Sequence, residues 1–326
     1  MRALRVGIAA ALIAASSVGP DARGESLQPR IPGGPLAQQL SRLDCTRVTA
    51  ADVADVLRLA PAPRIVLLQG SVAFVTMEPF ASFLIAMGYP EERLRNPRDG
   101  ALSYASFVDA AALAGALAYD YEQTAEQPML IGHSQGGAVV IRVLHELAGT
   151  FGNPLAVVDP ATGNALPRTT IVDPFTHESR PVTAVRVSFA AALATGWLLR
   201  VLLGQWTILP HLRTIPDSVN EFTGFDLPND PIAGNLLGVS PYVAAGSARV
   251  RNVLLPAEYS HVGLPLVDRL SSVPTLRSWI DAWHPGSQAP IPPGDTTNLV
   301  HAADLWYSVK RNWCEQAQRL LELRGS

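Results

Sequence analysis

Short apolar runs alternate with longer, partly apolar stretches along most of the chain. Arg64-Ile65-Val66-Leu67-Leu68-Gln69-Gly70 is apolar without interruption, rich in β-branched residues and stopped by glycine. That is the pattern of a strand covered on both faces of a parallel sheet. Met129-Leu130-Ile131 repeats it, and residues 182–189, 218–225 and 249–255 are further strand candidates. Helical spacing fits residues 49–59 with Thr49 as cap, 80–87 ended by Gly88-Tyr89-Pro90, 103–121, 138–148, 274–283 and a terminal stretch 301–324. Residues 25–40 form a polar lead-in and 287–297 a Pro-rich link. Strands alternating with helices predict an α/β fold, a mainly parallel central sheet with helices on both faces.

Composition narrows the function classes. The chain has 326 residues, 48% hydrophobic and 16% charged, enough for one large core, so residues 25–326 are expected to form a single domain. Net charge is −3, with no basic excess to attract phosphate backbones, so no nucleic-acid partner is expected. The protein is expected to be a monomer. Lys310 is the only lysine. Schiff-base chemistry would fall on it alone, in a charged helical tail, and lysine-based cofactor enzymes are set aside. His145-Glu146 and His177-Glu178 lack the second histidine of a His-Glu-x-x-His site. With no Cys/His cluster, dinucleotide fingerprint or phosphate loop in the sequence, no metal and no cofactor are expected.

The first residues read as an export signal. Arg2 and Arg5 precede an apolar run over 6–18, and Ala22-Arg23-Gly24 puts small residues at −3 and −1 of a cleavage site after Gly24. The run falls short of the roughly 20 residues a bilayer-spanning helix needs, so a membrane anchor is the lesser reading. A signal peptide over residues 1–24 places the protein outside the cytoplasm, secreted or periplasmic. There, the two cysteines, Cys45 and Cys314, are expected to pair, with free buried thiols as the alternative. A bridge closing so long a loop contributes about 3–5 kcal/mol on the chain-entropy account.

The segment Gly132-His133-Ser134-Gln135-Gly136 carries the chemistry. An apolar strand precedes it and Gly137-Ala138-Val139-Val140 opens a helix after it. Strand, Gly-x-Ser-x-Gly, helix is the setting of a nucleophile elbow. A turn that tight holds the serine backbone under strain and projects Oγ, and side chains two positions either side would collide. The following helix aims its N-terminal N–H groups at the serine, where an oxyanion would develop. The alternative is a tight turn that happens to carry Ser134.

A nucleophilic serine needs a base. His145, His177, His211, His284 and His301 sit in helices, turns or the tail, and His133 points away from Oγ and reads as packing. His261 follows the last strand candidate in Glu258-Tyr259-Ser260-His261-Val262-Gly263, where a loop can bring a base over the sheet edge. The orienting acid falls in Phe225-Asp226-Leu227-Pro228-Asn229-Asp230-Pro231-Ile232; Asp230 is favoured for its reach and Asp226 is the alternative acid. Either could instead cap a turn.

The order Ser134, Asp230, His261 and the segments Leu130 to Gly137, Asn229 to Ile232 and Ser260 to Gly263 resemble the elbow, acid loop and histidine loop of α/β-hydrolases such as lipases, esterases and thioesterases. The resemblance spans about residues 64–282. It implies an α/β-hydrolase fold and an oxyanion hole made by the N–H of Gln135 and one from the loop starting Gln69-Gly70-Ser71, carried over to Ser71 with Val72 as the alternative. The family's usual His-Gly is Gln69-Gly70 here, a departure that bears on the loop's shape. In that family a lid or cap is often inserted between elbow and acid. The apolar segment 190–209, with Trp197 and Trp206, stands there and extends a lid candidate to about 215. Buried core is the competing reading, and a membrane span is disfavoured by Arg200. The leading function is a secreted serine hydrolase of carboxylic esters, small-molecule or lipid, with transient contact at a lipid interface. An acyltransferase or thioesterase with the same residues is the alternative, and a non-catalytic binding protein the third.

Overall fold

Strands with apolar residues on both faces need helices on both sides, and the chain supplies them. The computed structural model describes residues 30–72, 74–202, 204–235 and 238–324. The expected signal peptide lies outside the described residues.

In chain order the elements are α1 (Gly34–Arg42), α2 (Ala50–Asp55), β1 (Ile65–Leu68), α3 (Glu78–Met87), α4 (Ala110–Thr124), β2 (Met129–His133), α5 (Gln135–Leu147), β3 (Thr170–Val172), β4 (Ser179–Pro181), β5 (Val187–Leu193), α6 (Leu198–Leu202), β6 (Thr214–Ile215), β7 (Val219–Asp226), β8 (Val243–Ala244), β9 (Arg249–Leu254), α7 (Pro274–Ala282) and α8 (Leu299–Arg319), with short 3₁₀ turns between them. Five strands form one parallel sheet in the order β1-β2-β5-β7-β9; β3 with β4 and β6 with β8 make small separate ribbons. The α/β architecture with a mainly parallel sheet is therefore present.

Alternation along each strand splits the core in two. Ile65, Leu67, Met129, Ile131, Phe189 and Phe225 face one side, packed with α3, α7 and α8. Val66, Leu68, Leu130, Ala190, Ala192 and Phe222 face the other, packed with α4 and α5. Because the five strands of the central sheet are all parallel, the loops that follow β1, β2, β5, β7 and β9 gather at one edge of it.

Several boundaries differ from expectation. The helix expected over 103–121 begins at Ala110, because Asp109 caps it by accepting the N–H groups of Ala111 and Ala112. Residues before it pair with β1 instead: Tyr104 donates to the Leu67 carbonyl and accepts from the Gln69 N–H. The strand expected over 182–189 runs from Val187 to Leu193, and Val182–Ala184 is a 3₁₀ turn. Its alanines have little intrinsic strand preference, but Ala190, Ala191 and Ala192 lie between two neighbouring strands and are fully buried. The apolar segment 190–209 is thus divided. Its start is core strand, and α6 follows, with Trp197, Leu202 and Trp206 exposed around it.

Cys45 and Cys314 are joined in a disulfide that ties the start of the described chain to α8. Arg251 of β9 grips Asp304 of α8 through two bonds of 2.7 and 2.6 Å. His301, on the same helix, is fully buried and hydrogen-bonds through Nε2 to the Leu264 carbonyl at 2.8 Å. Burial pushes its pKa down to about 4. An unfolded histidine titrates near 6.5, so between about pH 6.5 and 4 the unfolded chain binds a proton that the native chain refuses. Stability therefore falls as pH drops through that window, by at most about 1.4 kcal/mol per pH unit from this residue. His301→Gln keeps an N–H donor and removes the titration; its Tm is expected to decline less steeply than wild type in thermal melts across that range.

Candidate functional site

At the end of β2 the chain turns within one residue into α5. That residue, Ser134, has φ 52° and ψ −112°, a conformation that side chains disfavour. The turn is possible because its flanks carry no side chain: a Cβ on Gly132 would lie 2.4 Å from the Gly136 carbonyl, and one on Gly136 would lie 2.1 Å from the Leu68 oxygen. Bonds hold the strained unit in place. The Ser134 N–H donates to the Leu193 carbonyl at 2.8 Å, and the Ser134 carbonyl accepts from the Thr195 hydroxyl at 3.1 Å.

His261 opens a 3₁₀ turn after β9, and Asp230 lies four residues past the end of β7. His261 Nε2 is 3.0 Å from Ser134 Oγ, and His261 Nδ1 is 2.6 Å from Asp230 Oδ2. All three side chains are buried. The other oxygen of Asp230 accepts the N–H groups of Ile232 and Ala233 at 2.9 and 3.1 Å. Burial raises the Asp230 carboxyl, but the His261 bond and these two N–H groups outweigh it, and its pKa lies below the usual carboxylate value. An ionised Asp230 accepts, so Nδ1 of a neutral His261 carries the ring proton and Nε2 is free to accept from the serine hydroxyl.

The structure brings Ser134, His261 and Asp230 together and holds Asp226 apart. Arg213 takes the Asp226 carboxylate through bonds of 3.0 and 3.2 Å, lies over the Tyr242 ring at 4.3 Å, and donates to the Thr195 carbonyl at 3.1 Å. Burial pushes the Asp226 carboxyl up against the pull of Arg213.

The loop after β1 lies against the serine. A Cβ on Gly70 would lie 3.1 Å from His133 Nδ1 and 3.4 Å from Ser134 Cβ. The Gln69 side chain accepts from the Ser103 hydroxyl at 2.9 Å, which accepts the Met77 N–H at 3.0 Å, so this glutamine fastens both ends of the loop. Ser71 is half-buried and Val72 exposed. Gln135 is the first residue of α5, where a backbone N–H has no partner within the helix. A cleft of about 340 Å³ adjoins it, walled by Phe107, Val139, Arg142 and Ile208, with Gln205 beside the Gln135 amide.

Sequence reasoning passed over His133 as packing. Its ring is buried 5.2 Å from that of His261, and its Nε2 donates to the His261 backbone carbonyl at 2.8 Å. Burial pushes its pKa down to about 3, so it stays neutral beside His261. Thr195 and Arg213 were also missed; neither has a motif, and only the fold brings them to the elbow. His145 is buried against Thr214 and Thr150, and His177 and His284 lie on exposed turns; none approaches Ser134. Among the described residues no group of His, Cys, Asp or Glu is arranged to hold a metal ion.

Such an arrangement can raise the nucleophilicity of a serine by removing its proton as it attacks. Comparison with protein-family models finds no match to the chain, and a search of curated proteins finds none either.

A fluorophosphonate probe is expected to add one adduct, on Ser134, readable by mass spectrometry. Asp230→Asn should slow labelling by about 10⁴-fold, whereas Asp226→Asn acts through folding and leaves the labelling rate of the folded fraction within about tenfold. For His133, replacement by Leu should slow labelling about 10- to 100-fold and replacement by Gln, which restores an N–H donor, should recover most of it. Equal loss in both His133 variants would show that shape, not the bond to His261, is what counts.

Proposed function

We propose that the protein is a secreted serine hydrolase of the α/β-hydrolase type that cleaves carboxylic esters through an acyl-enzyme on Ser134. The observation that carries this reading is the continuous hydrogen-bonded chain from Ser134 Oγ through His261 to Asp230 on a strained elbow. The parallel sheet with helices on both faces agrees with that fold, and the disulfide agrees with an extracellular location. No helix among the described residues is long and apolar enough to cross a membrane.

In this mechanism Ser134 attacks the ester carbonyl as His261 Nε2 takes its proton. Asp230 holds the imidazole tautomer and stabilises the imidazolium that forms. The N–H of Gln135, at the start of α5, faces the developing oxyanion, and Ser71 from the loop after β1 is the second donor; each is worth about 3–4 kcal/mol in the transition state. His261 then gives its proton to the departing alcohol, and water, deprotonated by the same nitrogen, releases the acid.

Apolar side chains exposed around that edge point to an acyl chain in the substrate. Val72 and Phe74 follow β1, Trp197, Leu202 and Trp206 follow β5, Ile232 follows β7, and Val262 and Leu266 follow β9. Phe74 is 86% exposed. Side chains of this kind gathered on the loops of one sheet edge suit a lipid ester; of the lid expected over about 190–215, Trp197, Leu202 and Trp206 contribute part of the rim.

Ser134→Ala should reduce ester turnover by about 10⁶-fold while thermal melts stay native. Across p-nitrophenyl esters from acetyl to palmitoyl, kcat/KM is expected to rise beyond four carbons; a strict preference for acetyl would rule out the lipid-ester reading, and no turnover of any ester would rule out the hydrolase.

A further inference from the structure

The only lysine of the chain is in an unusual position. Lys310 is 2% exposed, on α8, one turn before the disulfide cysteine Cys314. Its Nζ donates to two backbone carbonyls, Val48 at 2.9 Å and Asp281 at 2.8 Å. An ammonium has three N–H donors, and no described carboxylate lies within ion-pairing distance of this one. The Asp281 carboxylate accepts the Trp306 indole N–H at 2.8 Å, and the Asp52 carboxylate closes the capping box of α2 with Thr49. Buried charges are normally paired, because a lone one keeps its desolvation cost. Burial accordingly pushes Lys310 down to about 8, against the weak pull of Asp281 and Asp52.

Lys310, Val48 and Asp281 all line one cavity of about 750 Å³ between the Cys45–Ala50 stretch, the end of α7 and α8. Trp283 and Tyr307 form an apolar wall, their rings edge to face at 6.2 Å. Arg47 stands at the rim with its side chain 87% exposed and only a 4.0 Å contact to Asp44. Of the other charged or titratable groups here, Arg311 is occupied by Glu221 and Glu315, and His284 is exposed and bonded to the Pro285 carbonyl. Lys310 and Arg47 thus carry two positive charges to the cavity, against the Asp281 carboxylate, which holds the Trp306 N–H on one oxygen. The volume is that of a small-ligand site, with an apolar wall and few polar groups.

We propose that this cavity binds a small organic monocarboxylate, its carboxylate on the Lys310 ammonium and its apolar body against Trp283 and Tyr307. The bound anion supplies the counter-charge the buried ammonium lacks. One buried ammonium and one rim guanidinium suit a monoanion, and the aromatic wall suits a hydrocarbon body that inorganic phosphate does not have. The site is separate from Ser134. His301, whose ring reaches the loop of His261 through Leu264, lies nine residues before Lys310, about 13 Å along the helix. The inference therefore stands whether or not Ser134 hydrolyses esters.

A single lysine makes the test direct. Protein labelled with ¹³C at the lysine ε-carbon gives one side-chain signal whose pH titration reports Lys310 alone. Millimolar octanoate is expected to shift this signal saturably and to raise the Lys310 pKa by about one unit. Octanamide and inorganic phosphate should leave it unchanged, and Ser134→Ala should behave as wild type. Ala282→Trp, which fills the cavity without touching the amine, should abolish the octanoate shift, and Lys310→Met should lose the gain in Tm that octanoate gives. An unchanged titration in octanoate overturns the proposal in the wild-type protein, so the result does not depend on either variant folding. An equal response to phosphate overturns it as well, since the site would then read charge alone.

Discussion

Between Gly132 and Gly136 the first turn of α5 comes so close to β1 and β2 that no side chain fits between them. A Cβ at Gly136 would meet the Leu68 carbonyl, and one at the next residue, Gly137, would lie 1.8 Å from the Thr195 hydroxyl. That contact forces the strained backbone of Ser134 and fixes where its Oγ points. Ordinary backbone at Ser134 would swing the hydroxyl out of line with His261. The surrounding structure bears the strain through bonds that run outward: Ser134 to Leu193 and Thr195, Thr195 to Arg213, and Arg213 to Asp226. The cost of one unfavourable residue, on the order of 1–3 kcal/mol, is spread over a buried network that spans three strands.

Asp226 and Asp230 show how four residues can separate two carboxylates into different tasks. Asp226 is still in the strand, and a guanidinium fills its coordination. Asp230 is past the strand, where two backbone N–H groups occupy one oxygen and leave the other directed at His261. Burial raises the first against the pull of Arg213, whereas the bond to His261 and, after it, the two backbone N–H groups hold the second below the usual carboxylate value.

Much of the architecture was legible because a strand buried on both faces reads as an unbroken apolar run, as at Ile65–Leu68 and at Met129-Leu130-Ile131, which opens β2. Ser134 was legible for the same reason, since the elbow's glycines are dictated by local sterics. The choice of Asp230 over Asp226 was only half legible, because it turns on Arg213, which comes from a separate segment. The alanine strand Val187–Leu193 was misplaced because alanine expresses no preference that burial cannot override. Lys310 and His301 stand in a stretch whose residue types suggest a charged tail, whereas α8 lies against the sheet and buries both. Helical spacing locates a buried face but not what will cover it. His133 was read as packing because the bond it makes is to a backbone carbonyl, which leaves no trace in residue types.

The chain is made from its N-terminal end. Cys45 and Cys314 are separated by 269 positions. The bridge can close only after the 269 positions that separate the cysteines have been made, and it joins α8 to the segment before α2. Parallel sheets assemble slowly, since their pairings are remote in sequence. The early thiol must therefore wait unpaired while the rest arrives. Among the 326 residues there is no third cysteine for it to pair with. Oxidation latches α8 to the segment before α2, and the pairing errors it leaves open are those between neighbouring molecules.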